Sequence, residues 1–98
     1  MKIAVASLGK DFNSEISPQA GRAPYYLIFE DGKLIEVWKN VFSVGGGGVG
    51  LAVAKIMADK HVKKVISASF GEKMKDALSA KEIFFEEKTG IVKNILTL

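Results

Sequence analysis

The sequence predicts a three-layer α/β domain, a five-stranded mixed sheet with helices packed on it. Three observations predict it. Residues 3–7 (IAVAS) are a short, nearly continuous apolar run, the pattern of a strand covered on both faces. Asp31 and Gly32 separate two strand-like segments and give a strong hairpin signal. From residue 49 onward, helical spacing alternates with strand-like runs, which implies parallel strands joined by right-handed crossovers.

The elements follow in order. Residues 8–24 show no clear period and read as a long loop, of a length that goes with function or with disorder. Residues 25–30 (YYLIFE) are aromatic and β-branched, as strands favour, and residues 33–38 (KLIEVW) return as their antiparallel partner. Residues 40–48 form a second loop. Val49, Ala52, Val53, Ile56 and Met57 then fall at i, i+3, i+4, i+7 and i+8, one face of a helix, with Lys55 and Asp59 on the other. Residues 62–68 (VKKVISA) read as a strand centred on Val65 and Ile66. Ser69-Phe70-Gly71-Glu72 has the S-x-x-E form of a capping box, which predicts a helix through Met74, Ala77 and Leu78. Residues 83–85 (IFF) are the last strand, with Glu86, Glu87 and Lys88 as its solvated end. Thr89 is placed to cap a short final helix carrying Ile91, Val92, Ile95 and Leu96; Gly90 weakens that start, and the same residues are readable as extended.

Length and composition bound the function. A chain of 98 residues fits one domain, residues 1–98. A hydrophobic fraction of 48% with 26% charged residues is a globular balance. The 14 basic against 11 acidic side chains leave +3, spread along the chain without the dense stripe that nucleic-acid binding asks for. There is no cysteine, which excludes disulfides, zinc–thiolate sites, cysteine nucleophiles and cysteine-ligated iron–sulfur clusters. The N-terminal apolar stretch is broken by Gly9, Lys10 and Asp11, too early for a signal peptide. No run approaches the roughly 20 apolar residues of a membrane span. The expectation is a soluble, cytoplasmic protein.

Two stretches carry chemistry. The first is SVGGGGVG, residues 43–50, at the entry of the predicted helix. Gly45, Gly47 and Gly50 match G-x-G-x-x-G, but a glycine run satisfies many glycine patterns, and the strand after it ends without the carboxylate that a dinucleotide ribose needs. Gly45 and Gly50 have the spacing of a phosphate loop, yet Leu51-Ala52 stand where that loop has Lys and Ser or Thr. What survives is general. Gly45, Gly46, Gly47 and Gly48 let backbone N–H groups turn inward, and a helix N-terminus adds unpaired donors and partial positive charge, so the loop suits an anion. A surface loop that binds nothing is the competing reading.

The second stretch is SPQAGRAPYY, residues 17–26. Pro18 and Pro24 stiffen it, Gly21 permits a tight turn, and Pro24 steers Ala23 extended. Arg22 is therefore held at a strand entrance, where its guanidinium fork can clamp a carboxylate, oxyanion or phosphate. It is equally able to tie the loop to backbone carbonyls. Ser7 and Ser69, at the ends of two strands, read as hydrogen-bonding or capping groups, since no histidine base lies near them. His61 is the only histidine and sits at a helix end, where capping explains it better than metal ligation. Tyr25, Tyr26 and Trp38 read as core or hairpin packing.

Gly21-Arg22-Ala23-Pro24-Tyr25-Tyr26, placed after an N-terminal KIAVAS strand, resembles the dinitrogenase iron–molybdenum cofactor biosynthesis family. These are small proteins and domains similar to the nitrogenase cofactor carriers and to the C-terminal part of the radical enzyme of cofactor assembly. The resemblance covers nearly the whole chain, including the hairpin ending at Asn40, the glycine-rich helix entry, VKKVISAS and IFFEE. It implies a ribonuclease-H-like α/β/α fold. It also implies non-catalytic binding or carriage of an anionic cargo, an iron–molybdenum cofactor or an iron–sulfur precursor. Gly21, Arg22, Gly45, Gly46, Gly47 and Gly48 would hold that cargo, with Ser7 and Ser69 adding hydrogen bonds. Many members have a histidine in the glycine loop and His-Phe before Gly-Arg-Ala-Pro-Tyr; this chain has neither, with Gln19-Ala20 before Gly21. The ribonuclease-H-like fold can host two-metal nuclease carboxylates, but the first strand here carries none. Two other functions stay open: an interaction module that docks a protein partner without cofactor, and a nucleotide or phosphate binder using the glycine loop. A monomer and a homodimer paired along the hairpin edge are both compatible with the sequence.

Overall fold

The computed structural model describes residues 1–44 and 48–95. Among the described residues eight elements follow one another: β1 (Lys2–Ser7), β2 (Tyr25–Glu30), β3 (Lys33–Lys39), α1 (Val49–Asp59), β4 (Val62–Ser67), α2 (Glu72–Ala80), β5 (Phe84–Glu87) and α3 (Val92–Ile95). The five strands form one mixed sheet in the order β3-β2-β1-β4-β5. β2 pairs antiparallel with β1 and with β3; β4 is parallel to β1 and β5 to β4. Asp31 and Gly32 both take positive φ, 51° and 82°, as a two-residue primed hairpin turn requires, and Glu30 pairs directly with Lys33.

Side-chain alternation along the strands builds two cores. Ala4, Ala6, Tyr26, Ile28 and Val65 face Val53, Ala54 and Met57 of α1 and Met74, Ala77 and Leu78 of α2. Val5, Leu27, Phe29 and Ile66 point the other way, onto Ile16 and onto Val92 of α3. The nearly continuous apolar run of β1 thus serves both faces of a central strand.

The long loop is ordered through its backbone. Leu8 N–H donates to Glu15 O (3.0 Å), Ile16 N–H to Gly90 O (2.9 Å) and Ser17 N–H to Ala6 O (2.8 Å). It also supplies acceptors for α3: Val92 N–H bonds Ser14 O and Lys93 N–H bonds Phe12 O, both at 3.0 Å. Helix donors that need partners find them in the loop.

Element ends depart from expectation where distant partners compete. β4 stops at Ser67 because Ala68 N–H turns to Ser17 O (3.0 Å). The last strand starts at Phe84, since Ile83 N–H donates to Leu78 O (2.9 Å) while Glu82 N–H donates to Ser79 O (3.0 Å). That pair of bonds is a Schellman ending, with Ile83 and Leu78 both buried beside it. Glu86 and Glu87 are the C-terminal residues of the strand, Glu87 exposed and Glu86 half-buried. Glu86 lies between Lys64 and Lys88, and the hydrogen bond from Lys64 holds its carboxyl below the usual carboxylate range.

The Schellman ending puts Glu82 at φ 59°, and His61 takes φ 63° just past α1, where its N–H bonds Ala58 O (3.0 Å). His61 therefore ends its helix through its backbone. Left-handed backbone costs an L residue roughly 1–2 kcal/mol that glycine avoids. After the larger chain entropy of glycine is subtracted, Glu82→Gly is expected to raise stability by about 0.5–1 kcal/mol in urea unfolding. A loss of stability would show that the Glu82 side chain makes a contact worth more than the backbone strain.

Candidate functional site

β1 and β4 lie side by side and parallel, but β1 leads toward β2 and β4 toward β5, on opposite sides of the sheet. Such a switch point leaves a crevice beyond the strands' C-terminal ends, where ligands of open α/β sheets bind. Residues 17–20 span the two strand ends there. Ser17 O accepts from Ala68 N–H and from Ser67 Oγ (3.1 Å), Ala20 N–H donates to Ser69 O (3.0 Å), and Ser69 Oγ donates to Pro18 O (2.5 Å).

Above this bridge opens a cleft of about 480 Å³ lined by Gln19, Ala20, Gly21, Arg22, Val49, Gly50, Ser69, Phe70, Gly71, Glu72, Lys73 and Met74. The first turns of both α1 and α2 face into it, and neither has a side-chain cap. Two helix N-termini without side-chain caps therefore share one cavity with the Arg22 and Lys73 side chains, a setting favourable to negative charge. Glu72 also lines the cleft, its carboxylate 3.5 Å from Lys75 and mostly in solvent.

The wall that carries Arg22 is pinned from behind. The buried phenol of Tyr26 donates to Ala20 O, and burial pushes its pKa well above the ordinary tyrosine value. The Asn40 amide donates to Gly21 O (3.0 Å) and Ala23 O (2.9 Å). Three carbonyls around Arg22 thus point to buried donors. An anion in the cleft is spared their repulsion.

The sequence matches the family described as dinitrogenase iron-molybdenum cofactor over residues 1–97. The chain belongs to that family. No curated protein matches it. Among solved structures, the apo form of the orange protein from Desulfovibrio gigas is 22% identical, with a TM-score of 0.89 over 97% of this chain and 82% of that one. A Thermotoga protein of the DUF35 family, solved by NMR, is 26% identical, with a TM-score of 0.80 over 95% of this chain and 81% of that one. The chain is thus a member of a cofactor-related family.

The cleft of this family member brings together Gly21, Arg22 and Ser69. Gly48 stands at the N-cap of α1 with φ 80°, its carbonyl accepting from Ala52 N–H (3.1 Å). Gly45, Gly46 and Gly47 lie outside the described residues. Ser7 is not at the cleft. It is fully buried, and its hydroxyl closes a turn with Gly9, donating to Gly9 O (2.8 Å) and accepting from Gly9 N–H (3.2 Å). Gly21 needs no glycine-only backbone, and a Cβ there would meet Val49 at an ordinary 3.5 Å.

The capping box at Ser69–Glu72 does not form. The N-cap of α2 is Gly71, in extended conformation, because the Ser69 hydroxyl is drawn to Pro18. Gly50, read as part of a phosphate-type pattern, has a packing constraint instead: a Cβ there would lie 2.8 Å from Met74 Cβ. The sequence reading missed Asn40, Lys73 and the N-terminus of α2 as parts of the site. Asn40 had one signal, a poor strand former with two side-chain donors at the end of a strand.

Proposed function

We propose that the protein binds and carries a small anionic cargo, an iron–molybdenum-type cofactor or its iron–sulfur precursor, without catalysing a reaction on it. The observation that carries this reading is the meeting of two uncapped helix N-termini with Arg22 and Lys73 in one cleft at the sheet's switch point. Family membership and the likeness in fold to the orange protein and the Thermotoga protein support it. The strand order, with β1–β3 antiparallel and β4 and β5 parallel to β1, also supports the ribonuclease-H-like reading of the fold.

The donor set fits an anion held by outer-sphere contacts. The cleft offers guanidinium, ammonium and backbone N–H groups, while thiolate is absent from the chain and the sole histidine, His61, follows the far end of α1. The protein grips the cargo's charge and leaves its metal ions to their own ligands. Such a grip loosens with salt and needs no ligand exchange for release.

Arg22→Ala tests the reading. Anaerobic titration of the wild type with isolated iron–molybdenum cofactor, followed by backbone-amide NMR, is expected to give saturable shifts at Gly21, Arg22 and Gly71–Lys73. A lost charge-assisted bond is worth about 1.5–3 kcal/mol, so the variant's Kd should rise roughly 10- to 100-fold. Absence of shifts in the wild type at excess cofactor and precursor would remove the carrier role.

A further inference from the structure

Asn40 follows β3 and is 1% exposed. Every polar atom of its side chain is used. The amide nitrogen donates to Gly21 O and Ala23 O, and Oδ1 accepts from Phe42 N–H (3.0 Å). Its backbone adds two more bonds: Asn40 N–H donates to Pro24 O (2.9 Å), and Ser43 N–H donates to Asn40 O (3.1 Å). One buried residue thus holds residues 21–24, which carry Arg22, against residues 42–43, which begin the chain leading to α1.

We propose that Asn40 is a positioning residue for the anion cleft: it locks the Arg22 segment to the chain that enters α1 and keeps the carbonyls flanking Arg22 turned away from the ligand. This rests on the carrier reading only for its consequence in binding; the lock itself is a property of the free protein. The chemistry selects asparagine. The site needs two donors and one acceptor on a one-carbon stem. Aspartate would set a carboxylate against two carbonyls, leucine would leave all three groups unpaired, and glutamine is one methylene too long for a closed pocket. Tyr26 holds only the neighbouring carbonyl, of Ala20, and touches nothing on the 42–43 side through its hydroxyl. It is therefore the control for stability loss without loss of the lock.

The test compares Asn40→Ala and Tyr26→Phe in the full chain. Amide hydrogen exchange is measured first, without ligand. In Asn40→Ala, Gly21–Ala23 and Phe42–Ser43 should accelerate together by at least 10-fold, while amides in β1 and β4 keep their rates. In Tyr26→Phe the acceleration should stay within residues 20–23. The Kd for isolated iron–molybdenum cofactor should then rise at least 10-fold in Asn40→Ala and by a smaller factor in Tyr26→Phe, which frees one carbonyl of the wall instead of two. Acceleration of only one segment in Asn40→Ala, or equal weakening in both variants, would overturn the proposal. If the wild type binds no cofactor, the carrier reading falls and the exchange pattern still decides the lock. Should Asn40→Ala not fold, Asn40→Ser, with one short hydroxyl, is expected to give the same paired acceleration.

Discussion

Gly50→Val should destabilise the protein by about 3 kcal/mol or more, the upper end of the cost of overpacking. The reason is backbone, which cannot move aside as a side chain can. A Cβ at Gly50 would stand 2.8 Å from Met74 Cβ, 3.1 Å from its Cα and 3.2 Å from its amide nitrogen. α1 would have to lift from α2, and the buried contacts of Val53, Ala54 and Met57 with Met74, Ala77 and Leu78 would open with it. Gly50→Ala meets the same backbone with one atom. It regains about 1 kcal/mol of helix propensity against an overpacking cost of roughly 1–3 kcal/mol, so a net loss of about 1 kcal/mol is expected. Urea unfolding of both variants measures this. A valine variant as stable as wild type would mean that the helices do not approach at Gly50 as described.

Tyr26→Ala is the second large effect, with an expected loss of about 4 kcal/mol. Tyr26 is among the largest fully buried side chains, its ring 5.9 Å from that of Trp38, and its hydroxyl holds Ala20 O. Tyr26→Phe keeps the ring and removes the bond, which should cost about 1–2 kcal/mol because Ala20 O is left with a single 3.4 Å contact from Ala23 N–H. The sign of the pH dependence follows from burial. The unfolded phenol ionises near about pH 10, whereas the folded one holds its proton well above that. This stabilisation is complete below pH 10 and is lost as pH rises beyond it. The wild type should therefore lose stability above pH 10 faster than Tyr26→Phe does. Parallel curves for the two proteins would place the Tyr26 phenol in water.

Local pattern made the sheet legible. Asp31-Gly32 names its own turn, residues 3–7 show a doubly covered strand, and the apolar stripe of α1 includes the buried Val53 and Met57, though not the buried Ala54. The site was legible only in part. Arg22 stood out because prolines flank its loop, and GRAPYY carried the family. The rest depends on partners that sequence distance hides. Ser69 looked like a helix cap because its competing acceptor, Pro18, is 51 residues away. Asn40 looked like loop because the carbonyls it holds lie 17 and 19 residues upstream. The glycines invited a phosphate reading, and for Gly50 the governing fact is the backbone of a helix that begins 22 residues later. The cleft itself arises only because β1 and β4 pair, which sets residues 19–22 against residues 69–74.

The bridge of residues 17–20 across the ends of β1 and β4 has a consequence for synthesis. Its anchors on β4 and just beyond lie 50 and 51 residues downstream, at Ser67 and Ser69. A chain emerging from the ribosome can pair β1 with β2 and β2 with β3 long before β4 appears, since those contacts are closer along the sequence. At that stage Arg22 has been made, but α2 and the floor of the cleft have not. The cleft is therefore among the last features to assemble. A nascent or truncated chain lacking β4 and α2 displays the family's signature residues without the cleft they line, so the cleft exists only once the whole fold has formed.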